Sequence, residues 1–206
     1  IPAGSTELRP HRAAVGLYDL KDGQLLRRKS VELDISGDLT QVKELSGEKL
    51  ADLLLINDHD LTYAKIRFDA RSIATLKAHL GKLDDGLSRA LCWSAAWDMF
   101  RDAELSATDF IEIALTGLAG EDDITTVTAL MSQLNTAVEI YASDKNRDSL
   151  REKVAGALLS LLKSAKAGSD HQLQFARSFA ALAHSKEQGA EIRNILDGKF
   201  QDLKID

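Results

Sequence analysis

Five histidines, His11, His59, His79, His171 and His184, are the first residues to test as metal ligands or acid–base catalysts. A zinc peptidase of the H-E-x-x-H type places two histidines and a glutamate on one helical face, and no pair of histidines here has that spacing. The sequence also has no P-loop, dinucleotide fingerprint or G-x-S-x-G elbow. We interpret the histidines as surface or capping residues. We therefore predict no catalytic, cofactor-binding or metal-binding residue in this sequence.

The carboxylates are the second group that could do chemistry. A run beginning at Asp58 has oxygen-bearing side chains at the first, third and fifth positions of a calcium loop. Tyr63 stands where that loop requires glycine, and Asp69 stands where it requires a bidentate glutamate. We therefore reject calcium and interpret the run as a turn before a strand. The pairs Asp84-Asp85 and Asp122-Asp123 occur where helices are expected to begin, so capping explains them.

Cys92, Trp93 and Trp97 lie together in one predicted helix. A single cysteine cannot form an intrachain disulfide, and its apolar neighbours indicate a small buried side chain rather than a nucleophile. The two tryptophans are one helical turn apart, which favours a core anchor over the alternative, a wall of a peptide-binding cavity. The sequence has no signal peptide and no apolar run of about 18 residues. We predict a cytoplasmic protein that has no membrane partner.

Charge argues against a nucleic-acid partner. The formal net charge is −6, and the acidic residues are spread along the chain. Arg27-Arg28-Lys29 is the largest basic cluster, whereas binding to a phosphate backbone requires many clustered cations. We interpret this triplet as the solvated end of a strand. The apolar content of 44% is sufficient for a buried core.

Hydrophobic periodicity divides the chain into two kinds of sequence. Alternating or apolar runs predict strands, joined by turns such as Asp22-Gly23, over residues 11–18, 30–35, 39–42, 53–56 and 64–68. Several short strands suggest a small antiparallel β-sandwich in residues 1–68. Both prolines, Pro2 and Pro10, precede this region's first strand, so long helices are permitted afterwards.

From Asp69 the apolar period changes to 3.6, which predicts about seven helices joined by short loops over residues 69–206. Helix pairs recur at roughly 40 residues, as in superhelical HEAT-like and armadillo-like domains, and a closed bundle is the alternative. Phe200, Leu203 and Ile205 leave the end apolar and uncapped, so we expect the helical part to continue past Asp206. The predicted fold class is α+β in sequence order.

Three stretches carry a resemblance to a known family. Residues 54–69, with Asn57, Tyr63, Lys65 and Phe68-Asp69 at its marked positions, resemble the sheet-to-helix junction of zinc aminopeptidases of the aminopeptidase N family. Residues 89–105 resemble the first helical pair of that family's C-terminal domain, and residues 169–177 resemble a later helix. The alanine at position 64 and the threonine before Tyr63 depart from the commonest pattern and match the actinobacterial type.

The resemblance implies that this chain is the non-catalytic C-terminal region of an enzyme that removes N-terminal residues from peptides. It implies a zinc ion in an upstream catalytic domain, which would be this region's partner together with peptide substrates, and no cofactor here. The helical domain would cover the active site and limit peptide access. The alternative is a free-standing helical-repeat scaffold for protein interaction. An independent enzyme is the weakest interpretation, because the sequence lacks a catalytic arrangement.

Overall fold

The computed structural model describes residues 8–200 and residue 203. Pro2 and Ile205 lie outside the described residues. The chain forms two compact units that divide after Leu105. The first unit contains the sheet and two helices, and the second contains five helices, so the predicted α+β class is confirmed.

The sheet consists of β1 (His11–Lys21), β2 (Gln24–Ile35) and β3 (Leu53–Ile56). All pairing is antiparallel, and β1 lies in the centre, in the order β2-β1-β3. The β1–β2 connection is the predicted hairpin, since Asp22 and Gly23 both have positive φ angles, 51° and 78°. Positive φ at both central residues is what a two-residue hairpin turn matched to strand twist requires.

Two predicted strands are wrong. Residues 39–42 are irregular and lead into a short 3₁₀ turn at Lys43–Leu45. Residues 64–68 alternate in polarity but pair with no strand of the described residues, and the side chains of Lys65 and Arg67 form ion pairs with Asp102. The described residues therefore hold one three-stranded sheet, and the second sheet of a sandwich is not among them.

Helices α1 (Ala70–His79) and α2 (Gly86–Arg101) complete the first unit. Asp69 caps α1 and Asp85 caps α2, each accepting a hydrogen bond from a backbone amide, so the predicted capping role of Asp85 is confirmed. Strand β1 is buried on both faces from its third to its eighth residue. One face packs with Ala51 in an apolar cluster, and the other carries the polar residues described below.

The second unit consists of α3 (Ala107–Leu118), α4 (Ile124–Thr136), α5 (Asp144–Ser164), α6 (Asp170–Leu182) and α7 (Lys186–Leu196). With α1 and α2 this gives seven α-helices in the described residues, the number expected. Helix α6 packs against α4 and α5, and α3 contacts both of those helices. No helix in the described part of the chain is long and apolar enough to cross a membrane.

Local signals set the ends of these helices. Ser106, Asp123, Ser169 and Ser185 cap α3, α4, α6 and α7 by accepting backbone amide hydrogen bonds. The single long helix predicted near residues 124–141 is α4 followed by one π-helical turn, Ala137–Tyr141. The helical unit is therefore assembled from elements that each carry their own start signal.

Candidate functional site

The most concentrated group of polar side chains inside the first unit surrounds Asp58. We define the Asp58 cluster as Tyr18 of β1, Arg27 and Ser30 of β2, Asp58 after β3, and Ser88 of α2. Asp58 has 0% solvent exposure, and Tyr18 and Ser88 are buried with it. A buried carboxylate is expensive unless donors surround it, so its contacts decide its role.

Donors satisfy both oxygens of the Asp58 carboxylate. The Tyr18 hydroxyl donates to Oδ1. Ser30 Oγ donates to Oδ2 over 3.1 Å, and Arg27 Nε lies 3.3 Å from the same oxygen. Arg27 Nε also donates to Tyr18 Oη over 3.0 Å, and Ser88 Oγ lies 2.8 Å from that oxygen. The cluster is thus a closed network in which the charge is both paired and hydrogen-bonded.

Local sequence explains how Asp58 reaches the sheet. Gly16 of β1 allows the approach, because a Cβ atom at that position would lie 2.6 Å from Asp58 Cγ. The preceding residue, Asn57, has a φ of 63°, a conformation that asparagine tolerates better than most residues. The Asp58 amide then donates to Ala14 O over 3.0 Å, which fixes the turn against β1.

Burial tunes the titratable groups nearby. Burial, followed by the hydrogen bond to Asp58, raises the pKa of Tyr18 to about 12. The hydrogen bond from Ser88 lowers the pKa of Asp85 at the start of α2. Burial raises the pKa of the Cys92 thiol, which has 0% exposure, so its interpretation as a small buried side chain is confirmed.

The contacts of the Asp58 cluster indicate a structural role. An open depression of about 550 Å³ lies beside it, lined by Tyr18, Arg27, Leu83, Asp85 and neighbouring residues. Asp58 is not accessible from solvent, and the Ser88 hydroxyl bonds to Tyr18 and Asp85 rather than to a histidine. Nucleophilic catalysis by serine needs a base that can take its proton. The arrangement therefore fits the role of joining β1, β2 and α2.

The residues nearest to a zinc-ligand set do not fit zinc. His59 Nδ1 lies 3.5 Å from Glu32, and its Nε2 lies 3.6 Å from Asp58. Arg27 Nη1 lies 3.1 Å from the same Nε2, which places a cation where the metal would bind. In residues 8–200 and 203, no three His, Cys, Asp or Glu side chains form a group able to hold a metal ion.

The basic triplet is solvated, as predicted, since Arg27 and Arg28 are exposed and Lys29 is half-buried, but it does not lie at a strand end. Arg27 reaches into the Asp58 cluster, Arg28 pairs with Asp19 and Glu48, and Lys29 also pairs with Glu48. All three lie inside β2, which begins at Gln24 because the hairpin extends the strand. By strict alternation, position 27 would share the strand face of Val31 and Leu33. A register shift between β1 and β2 opposite Leu17 and Tyr18 turns Arg27 toward Asp58 instead.

The tryptophans are placed as the favoured interpretation predicts. Trp93 is 3% exposed, which confirms it as a core anchor, and the Trp97 ring packs against Phe100 with centroids 5.6 Å apart. The Trp93 indole nitrogen is buried without a hydrogen-bond partner among the described residues. The run after Asp58 begins with the predicted turn, but the strand expected after it is absent.

Comparison with known proteins identifies the family. A family model described as the ERAP1-like C-terminal domain matches residues 53–206. The chain therefore belongs to the ERAP1-like C-terminal domain family. Over an alignment of 212 residues that covers 100% of the chain, it is 46% identical to aminopeptidase N of Streptomyces lividans. The chain spans 25% of that relative's length. The predicted resemblance to the aminopeptidase N family, actinobacterial type, is thus confirmed.

Proposed function

We propose that this chain is the non-catalytic region of a zinc aminopeptidase that removes N-terminal residues from peptides. The observation that carries the proposal is the 46% identity, along the whole chain, to a protein named aminopeptidase N that is about four times as long. The closed Asp58 cluster supports it, because the most concentrated polar group of the first unit is committed to holding that unit together. The zinc ion and the residues that use it would belong to an upstream catalytic domain.

We further propose that the helical part covers the active site and limits which peptides enter. The resemblance of residues 89–105 and 169–177 to the family's helical domain supports this role, as does the family match through residue 206. The same proposal includes two domains that divide between residues 68 and 69. The first would be a β-sandwich completed by a second sheet, and the second would be a superhelical arrangement of helices. So does a cytoplasmic location, with peptide substrates and the catalytic domain as partners.

The covering role can be tested on the full-length aminopeptidase. We would compare kcat/KM for a short peptide with kcat/KM for the same N-terminal sequence on a folded protein. The full-length enzyme should strongly prefer the short peptide. A variant lacking residues 106–206 should lose that preference while it still hydrolyses an aminoacyl p-nitroanilide, which shows that the catalytic domain is intact. An unchanged preference in an active deletion variant would contradict the covering role.

A further inference from the structure

We propose that residues 61–65, centred on Tyr63, form the surface on which the rest of the aminopeptidase chain docks. We call these residues the Tyr63 segment. The inference rests on the proposed function, since it names the contact surface for the remainder of that enzyme. Its basis is an aromatic side chain that is fully exposed and yet held on a segment fixed at both ends.

The exposure of Tyr63 is the first observation. Its relative exposure is 103%, the highest among the exposed large hydrophobic side chains of the described residues, and Leu61 is 43% exposed beside it. A single exposed apolar residue is ordinary on a protein surface. Tyrosine, however, offers a large apolar face and a polar tip with few rotatable bonds, which is why it is frequent at interface centres.

The segment is fixed on its N-terminal side. Thr62 is held by the side chain of Asn57, which accepts from the Thr62 amide over 3.0 Å and donates to its carbonyl over 2.8 Å. His11 of β1 holds the Thr62 hydroxyl, with Nδ1 and Oγ1 2.6 Å apart. The Asn57 side chain therefore satisfies both backbone groups of Thr62, as a neighbouring strand would do in a sheet.

The segment is also fixed on its C-terminal side. Lys65 Nζ donates to both carboxylate oxygens of Asp102, over 2.8 and 2.7 Å, and Arg67 pairs with Asp102 and Glu104. The Phe68 amide lies 3.3 Å from Met99 Sδ. The backbone around Tyr63 is thus ordered before any partner binds, so docking loses little further conformational entropy.

The charge and the small area of the Tyr63 segment indicate which kind of partner binds it. The cations that follow Tyr63 are already paired with Asp102 and Glu104, so the segment offers little free positive charge to a nucleic acid or an acidic peptide. A separate protein or a second copy would need about 800 Å² of surface on each side. A tethered partner needs far less, because the link raises its effective concentration to the millimolar range. A small, rigid aromatic anchor therefore fits a covalently linked partner, and the relative's greater length supplies one.

Hydroxyl-radical footprinting of the full-length protein tests whether Tyr63 is covered. The oxidation rate of Tyr63 would be measured by mass spectrometry in the folded protein and in the same protein unfolded in urea. Docking predicts at least a tenfold slower oxidation in the folded protein. Equal rates, as the 103% exposure in this chain alone implies, would overturn the proposal. The aminopeptidase activity of the same sample reports separately on the proposed function, so the two can fail independently.

A photo-cross-link then identifies the occupant. The full-length variant Tyr63→p-azidophenylalanine should cross-link within one chain to peptides outside residues 1–206. The same label at Leu39, which is 85% exposed, measures cross-linking by chance. Three outcomes would each overturn the assignment: cross-links within residues 1–206, a dimer band that disappears on dilution, or a yield no higher than that at Leu39.

Discussion

Removal of one hydroxyl group, in the variant Tyr18→Phe, tests whether the Asp58 cluster stabilises the first unit. The change keeps the buried ring and deletes the hydroxyl group that donates to Asp58 Oδ1. The same hydroxyl oxygen is hydrogen-bonded to Ser88 Oγ and accepts from Arg27 Nε. A hydrogen bond to a charged group contributes about 1.5–3 kcal/mol, and the carboxylate left behind has 0% exposure. We therefore expect Tyr18→Phe to lower the free energy of unfolding by about 2–3 kcal/mol.

Tryptophan fluorescence provides the assay. The chain has two tryptophans, Trp93 and Trp97, and both lie in α2, so their emission during urea unfolding reports on the unit that contains Tyr18. The matched control is Tyr63→Phe, which deletes the same group from a fully exposed ring and should change stability by no more than about 0.5 kcal/mol. An effect of Tyr18→Phe as small as that of the control would refute the stabilising role of the cluster.

The remaining predictions concern single groups. Gly16→Ala should destabilise the protein by about 1–3 kcal/mol, because its Cβ would lie 2.6 Å from Asp58 Cγ. The matched change Gly156→Ala in α5, where a Cβ meets nothing within 4 Å, should stabilise the protein by about 0.5–1 kcal/mol. Urea unfolding followed by circular dichroism checks both free energies. The folded-state pKa of Tyr18, about 12, lies above its ordinary value of 10.0, so its contribution is complete below pH 10 and lost as pH rises to 12. Unfolding at a series of alkaline pH values should show that loss, of about 2–3 kcal/mol, in the wild type and not in Tyr18→Phe. Ser185→Ala removes the capping box of α7 and should lower the stability of that helix by about 1 kcal/mol. Amide exchange at the N-terminus of α7 should therefore be faster in the variant than in the wild type, and slower exchange would contradict this prediction.

The helices could be predicted from sequence because each has a local signal. Apolar residues at a period of 3.6 mark the buried faces, and Asp85, Ser106 and Ser169 mark the starts that the structure confirms. The hairpin could be predicted for the same reason, since Asp22-Gly23 determines its own turn.

The errors arise where a non-local contact decides the structure. Residues 64–68 alternate like a strand, but no strand of the described residues pairs with them, and Lys65 and Arg67 contact Asp102, 35 or more positions away along the chain. Arg27 has the parity of Val31 and Leu33 along β2, but the register shift opposite Leu17 and Tyr18 places it beside Asp58. Periodicity records which face is apolar and does not record which distant partner a polar side chain finds.

The central claim is that this chain belongs to an aminopeptidase and does no chemistry alone. Hydrolysis of an aminoacyl p-nitroanilide should be measured with the full-length protein and with residues 1–206, each with one equivalent of zinc. We predict turnover by the full-length protein, and neither turnover nor stoichiometric zinc binding by residues 1–206. Zinc-dependent turnover by residues 1–206 would contradict the claim, as would a zinc-loaded full-length protein that releases no N-terminal residue.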